Sequence, residues 1–286
     1  MKIKNEQILY VHVGYQKTAT TFLQEKIFSK HKQINYLGKT ENNYSDWLIK
    51  WRYLDDYAFE KNYKLIREKI LLKYKEGKVN LVSSEAFIKT GGEIYSQAKR
   101  IKKVWPNTKI IIVLRDPIDY IFSFYKYSVE HDGFLLNIED TIDWKRTPLV
   151  FYKKKPIYLP DLFYNETIEI YEKIFGASNI IVLKYEDMVN NSEFYFKKLG
   201  LFLKVKFDNK QICKSLNIKT NVSKDVHRIK YLQAKNLFTF LRKQTPNTAK
   251  KISINQIEKE IKGEILGQNL RERLGAYFKG KCYDYY

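Results

Sequence analysis

Residues 8–24 read Ile8-Leu-Tyr-Val-His12-Val-Gly14-Tyr15-Gln16-Lys17-Thr18-Ala19-Thr20-Thr21-Phe22-Leu23-Gln24. The opening run is apolar and partly β-branched, which predicts a buried strand over Ile8–Val13. A glycine ends it, and an amphipathic segment, Thr20–Ser29, follows. A strand, a short loop and a helix starting around Thr18 aim the first helical N–H groups and the helix dipole at one place, a ready site for an anion. Lys17 brings a point charge there, and Thr18, Thr20 and Thr21 bring hydroxyl donors. Three threonines begin a helix poorly on propensity. They fit if their hydroxyls face an oxyanion; the plainer alternative is an ordinary helix with a threonine N-cap.

Working outward, three more runs have the same short, Ile/Val/Leu-rich character: Val79–Ser83, Lys109–Leu114 and Asn179–Leu183. Amphipathic stretches separate them, at Lys61–Lys75, Ile94–Val104, Ile118–Val129 and Thr167–Phe175. Strand and helix alternating at this spacing predict a parallel α/β sheet. After about residue 187 the pattern turns mostly helical and basic. We therefore expect one domain over 1–286: a central parallel β-sheet flanked by helices, of the P-loop-NTPase-like type, with a mostly helical C-terminal third. In such sheets ligands sit beyond the carboxyl ends of the strands.

Composition narrows the class. The chain has 286 residues, 44% hydrophobic and 15% aromatic, too apolar for a disordered protein. Two cysteines, Cys213 and Cys282, make neither a disulfide framework nor a structural zinc site. The apolar runs fall far short of the ~20 residues that span a bilayer. The N-terminus lacks the plan of a signal peptide, so we expect cytoplasmic action. Lys and Arg total 52 against 32 Asp and Glu, a formal charge of +20. Two readings of that excess stay open: codon bias toward Lys, Asn, Ile and Tyr, or attraction to polyanions such as phosphates, nucleic acid, acidic glycans or a lipid surface, with peripheral membrane contact allowed.

The loop meets the phosphate-binding pattern G-x-x-x-x-G-K-[ST] only in part. Gly14 and Lys17-Thr18 are present, but the second glycine is missing and no strand ends in an unambiguous magnesium-binding Asp. The segment Gly14–Gln24 instead resembles the 5′-phosphosulfate loop of sulfotransferases that use PAPS (3′-phosphoadenosine 5′-phosphosulfate). It is most similar to the bacterial and glycosaminoglycan-type carbohydrate branch, where the loop reads G-x-x-K-T/S-G/A-T-T-x-L. Ala19 stands where that family more often has glycine. A second match comes at Leu114-Arg115-Asp116-Pro117 with Ser123 eight residues past Arg115. The resemblance implies that Arg115 and Ser123 hold the 3′-phosphate. It also implies that Tyr15, Gln16, Lys17, Thr18, Ala19, Thr20 and Thr21 surround the 5′-phosphosulfate, with Lys17 at the bridging oxygen. Ser223, in Asn221-Val-Ser223, lies where bacterial members return a loop over the nucleotide.

Sulfuryl transfer also needs a base for the acceptor proton. Glu85, just after the strand Val79–Ser83, resembles the base of the glycosaminoglycan-type enzymes; His131 is the second candidate. His12 lies within the first strand and reads as a core or supporting residue. The expectation is a PAPS-dependent sulfotransferase that releases PAP (adenosine 3′,5′-bisphosphate) and needs no metal. Its acceptor would be a glycan, such as a bacterial capsular or lipopolysaccharide precursor, and no specific nucleic acid is expected. Two other classes stay open on the sequence: a divergent P-loop kinase or NTPase, and a basic nucleic-acid-binding protein.

Overall fold

A computed structural model describes residues 7–38, 54–88, 93–132, 138–144, 157–208, 212, 226–244 and 267–282. The described chain divides into two units, one of residues 1–116 and 164–220, the other of 117–163 and 221–286.

The first unit begins with β1 (Leu9–Gly14) and α1 (Thr20–Phe22), which runs on as a π-helical segment, Leu23–Phe28. Then come β2 (Ile34–Tyr36), α2 (Asp56–Lys73), β3 (Val79–Ser83), a 3₁₀ turn (Glu85–Phe87), α3 (Ile94–Val104) and β4 (Thr108–Leu114). The second unit supplies α4 (Pro117–His131), α5 (Ile138–Thr141) and the short strands β5 (Ile142–Asp143) and β6 (Ile157–Tyr158). The first unit resumes with α6 (Tyr164–Phe175), β7 (Ile180–Lys184), α7 (Tyr185–Asn190) and α8 (Ser192–Leu203). The second ends with α9 (Val226–Gln244) and α10 (Gln268–Phe278).

The large sheet has the order β2-β3-β1-β4-β7, with every pairing parallel. Both its faces are covered, which is why the strands are near-continuous apolar runs rather than alternating ones. On one face Tyr10, Leu81, Ile111, Val113 and Leu183 pack with Phe22, Leu23, Phe28, Tyr195 and Phe196. Toward the other, Leu9, Val11 and Val82 meet Ile66, Ile70, Ile101 and Trp105. Ile110 to Leu114 are all fully buried. Each such side chain contributes roughly 1.5–3 kcal/mol by leaving water, which makes β4 the apolar spine of the unit.

The expected central parallel sheet is present, and so are the four strands and five helices read from the sequence. Their ends differ where caps decide them. The helix expected from Lys61 begins at Asp56, because the Asp55 side chain accepts from the Ala58 N–H at 2.7 Å and caps it. The first helix starts at Thr20 rather than around Thr18, for the backbone reason given below.

In the second unit, α4 packs with α9 and α10. The Asn236 side chain donates to the Val129 carbonyl at 2.8 Å, and Arg273 pairs with Glu139 at 2.6 Å. Cys282 is a buried free thiol that donates to the Leu162 carbonyl at 2.7 Å.

Candidate functional site

Gly14 sits at the end of β1 because nothing larger fits. A Cβ there would lie 2.8 Å from Thr20 Oγ1 and 3.0 Å from His12 Nε2. The backbone then coils tightly, with Lys17 at φ 63° and Ala19 at φ 59°, both left-handed. Two such residues keep the chain out of the helix until Thr20. Ala19, as N-cap, offers no side-chain acceptor, so the side chain ahead of the helix leaves its first N–H groups unclaimed. The Thr18 hydroxyl is buried and donates to the Tyr15 carbonyl at 2.6 Å, with Thr20 Oγ1 3.4 Å from the same oxygen. These two threonines thus brace the turn from inside, while Gln16 and Thr21 are exposed and Lys17 is half-buried. Tyr15 is buried: its hydroxyl bonds Thr167 Oγ1 at 2.9 Å and its ring meets Tyr164 edge-on at 5.1 Å.

The left-handed Ala19 explains in physical terms why glycine suits this place. Only glycine takes that conformation without steric cost, and other residues lose roughly 1–2 kcal/mol there. Ala19→Gly is therefore expected to raise the free energy of unfolding by about 1 kcal/mol, read by chemical denaturation. An unchanged or lowered stability would mean that the turn is not held as described.

Arg115 follows β4 directly and reaches the loop. Its Nη1 donates to the Lys17 carbonyl at 2.9 Å, and its guanidinium lies 4.6 Å from the centre of the Tyr185 ring. Its own carbonyl accepts from the Tyr164 hydroxyl at 2.8 Å. The next residue is fastened too, since Glu186 accepts from the Asp116 N–H at 3.0 Å. The Nε of Arg115 is buried and has no partner among the described residues. A guanidinium held by its face and one nitrogen, with a buried N–H unspent, suits an oxyanion in the way a carboxylate or phosphate is usually gripped.

Glu85 opens the 3₁₀ turn after β3 and is half-buried. Since β1 and β3 are parallel neighbours, Glu85 emerges at the same edge of the sheet as Lys17. Behind them His12 is fully buried, its ring edge-on to Phe28 at 5.7 Å. Burial alone holds its pKa down at about 3, so it is neutral at physiological pH. The reading of His12 as a core residue agrees with this.

Lys17, Thr18, Ala19, Thr20, Glu85 and Arg115 thus share the carboxyl edge of one sheet. Ser123 and His131 belong to the second unit. Ser123 is half-buried on α4. His131 lies in the last turn of that helix rather than in a loop, exposed, stacked on Tyr127 at 4.3 Å, with its Nδ1 3.1 Å from the Tyr127 carbonyl. Ser223 lies outside the described residues. Tyr164 has no place in the sequence reading, and Tyr185 and Glu186 enter it as structural residues rather than site residues. Tyr185 and Glu186 stood in plain view, in the Lys184-Tyr185-Glu186-Asp187 run at the end of β7. Among the described residues no group of three or more His, Cys, Asp or Glu is placed to hold a metal ion.

A loop carrying Lys17 ahead of a helix, with Arg115 from the end of the neighbouring strand donating to its backbone, is an arrangement suited to an anion. A family model described as the sulfotransferase domain matches residues 10–262, and the chain belongs to that family. A sulfotransferase structure from Alicyclobacillus acidocaldarius shares the fold at 16% identity, with a TM-score of 0.54 over 83% of this chain and 92% of that one. The sulfotransferase domain from the curacin biosynthetic pathway aligns at 14% identity, TM-score 0.48, over 95% of this chain and 96% of that one. Mouse sulfotransferase SULT7A1, solved with PAP, aligns at 14% identity, TM-score 0.45, over 99% and 86%. No curated protein matches the sequence.

Proposed function

We propose that this protein moves the sulfuryl group of PAPS to a hydroxyl, or an amine, of a carbohydrate acceptor. The observation that carries the reading is Arg115, braced between the Lys17 carbonyl and the Tyr185 ring, with a buried N–H still unspent. Such a fork fits the 3′-phosphate, with Ser123 as a second donor. The loop Tyr15–Thr21 fits the 5′-phosphosulfate. As the bond from sulfur to the phosphate oxygen breaks, charge grows on that oxygen, and the Lys17 ammonium is suited to neutralise it. The acceptor oxygen bonds to sulfur while its proton passes to a base, for which Glu85, at the same sheet edge, is preferred over His131.

The matched span, 10–262, runs through both units and supports reading the chain as one sulfotransferase domain. The +20 charge favours an acidic glycan as acceptor, and a bacterial capsular or lipopolysaccharide precursor would be of that kind. No helix among the described residues is long and apolar enough to cross a membrane. The buried free thiol of Cys282 suits a reducing compartment such as the cytoplasm.

PAP at ~100 times its Kd is expected to add about 2.7 kcal/mol to stability, visible as a rise in Tm. The rise should vanish in Arg115→Ala. A response to magnesium-ATP and none to PAP would replace this reading with a shortened NTPase cradle. Transfer of labelled sulfate from PAPS to one member of a glycan panel, and not to simple phenols, would establish the acceptor class.

A further inference from the structure

Behind the loop, polar side chains from three elements meet in the interior. The β1–β3 register sets His12 opposite Ser83, and His12 Nδ1 lies 2.7 Å from Ser83 Oγ. Gln24, in the π-helical continuation of α1, donates from Nε2 to Ser83 Oγ at 3.1 Å and to the Ser83 carbonyl at 3.3 Å. The next residue extends the ladder, with the Ser84 N–H donating to the His12 carbonyl at 3.2 Å. Glu85 follows at once. These tethers converge on the two residues before Glu85, and their other ends sit in the strand and helix that bracket the anion loop. His12 also limits the residue that opens the loop: a Cβ at Gly14 would lie 3.0 Å from its Nε2. Apolar side chains would fill the same space without the desolvation cost of three polar ones. Hydrogen bonds add what apolar packing lacks, a fixed direction at each end.

We propose that His12, Ser83 and Gln24 are positioning residues. Their hydrogen bonds lock the exit of β3, and Glu85 with it, to the frame of the anion loop. The inference rests on Glu85 as base and on the loop as donor site. A base acts only within hydrogen-bond reach of the proton it takes, and a displacement of ~1 Å costs on the order of 10²-fold in rate.

Gln24→Glu tests this with little change of shape, replacing a donor with an acceptor that faces the Ser83 carbonyl. Ser83→Ala removes the hub. In both, kcat is expected to fall by roughly 10²-fold, while the Kd for PAP, by calorimetry, stays within about threefold (about 0.65 kcal/mol). Amide hydrogen exchange at residues 84–87 should speed at least ~10-fold, with β4 unchanged. Unaltered exchange at 84–87 in both variants overturns the proposal, even if the wild-type protein transfers no sulfate. An active wild type whose variants keep its kcat overturns it too. Failure of the wild type to bind PAP would instead strike the donor-site reading, and the exchange result would still decide whether the tether exists.

Discussion

Lys17→Ala is expected to slow sulfate transfer by about 10³-fold in kcat, measured with labelled donor at saturation. A preorganised donor aimed at developing charge is worth about 3–4 kcal/mol in comparable sites. The loss should fall on turnover, since the interaction strengthens as the phosphate oxygen takes up charge. The variant is also a clean one. Lysine and alanine both carry a Cβ, so the left-handed strain at this residue is the same in each. The Lys17 carbonyl keeps its bond from Arg115 Nη1. Any shift in unfolding free energy should therefore stay near the roughly 1 kcal/mol of an ordinary point substitution, far below the effect on turnover. Arginine is no substitute, because a planar fork cannot place one compact charge. Wild-type turnover in Lys17→Ala would remove this residue from the chemistry.

The second large effect is on stability and belongs to His12. Its folded pKa is lowered from 6.5 to about 3 by burial. Above pH 6.5 the folded and unfolded chains both hold it neutral, and no penalty arises. As pH falls below that, the unfolded chain takes up a proton that the folded one refuses. Stability is then lost at about 1.4 kcal/mol per pH unit until the folded pKa is reached. Between pH 6.5 and 4 the loss from this group alone amounts to about 3 kcal/mol. Carboxylates titrate over part of the same range, so the quantity to read is the difference between wild type and His12→Asn. Denaturant curves at pH 7 and pH 4 should show that difference move by about 3 kcal/mol in favour of the variant at low pH. A constant difference would mean that His12 picks up its proton in the folded state without resistance.

Much of the frame was legible because burial on both faces leaves an unmistakable mark. Val79–Ser83 and Ile94–Val104 coincide to the residue with the sequence expectation, the first from its apolar run, the second from its amphipathic period. The strand β2 was missed. Ile34–Tyr36 is only three residues at the edge of the sheet, too short for any period to show. Asp55 signalled the true start of α2, but the apolar pattern that governs such readings is thin over its first turn. At the site, the motif spacing put forward Lys17 and Arg115, and the structure places both at the carboxyl edge of the sheet, within a few residues of strand ends. Sequence could not give the directions of the threonines. Nothing local tells that Thr18 turns inward to Tyr15 while Thr21 faces out, because the left-handed turns at Lys17 and Ala19 decide it. The Gln24–Ser83 bond was beyond reach for another reason: it joins residues 59 apart in sequence, through a register that exists only in the folded sheet.

The strand order also bears on how this protein is made. β7 closes the flank of β4, yet it emerges from the ribosome long after it, behind the whole segment 117–163 of the other unit. Until Ile180–Lys184 arrives, the Ile-rich β4 is an uncapped edge with its N–H and C=O groups offered to any passing strand. Such an edge invites cross-pairing between chains. Truncations ending near residue 163, or mutations that slow β7 docking, should therefore show up first as insoluble protein rather than as a weak enzyme, and coexpressed holdase chaperones would be the natural remedy.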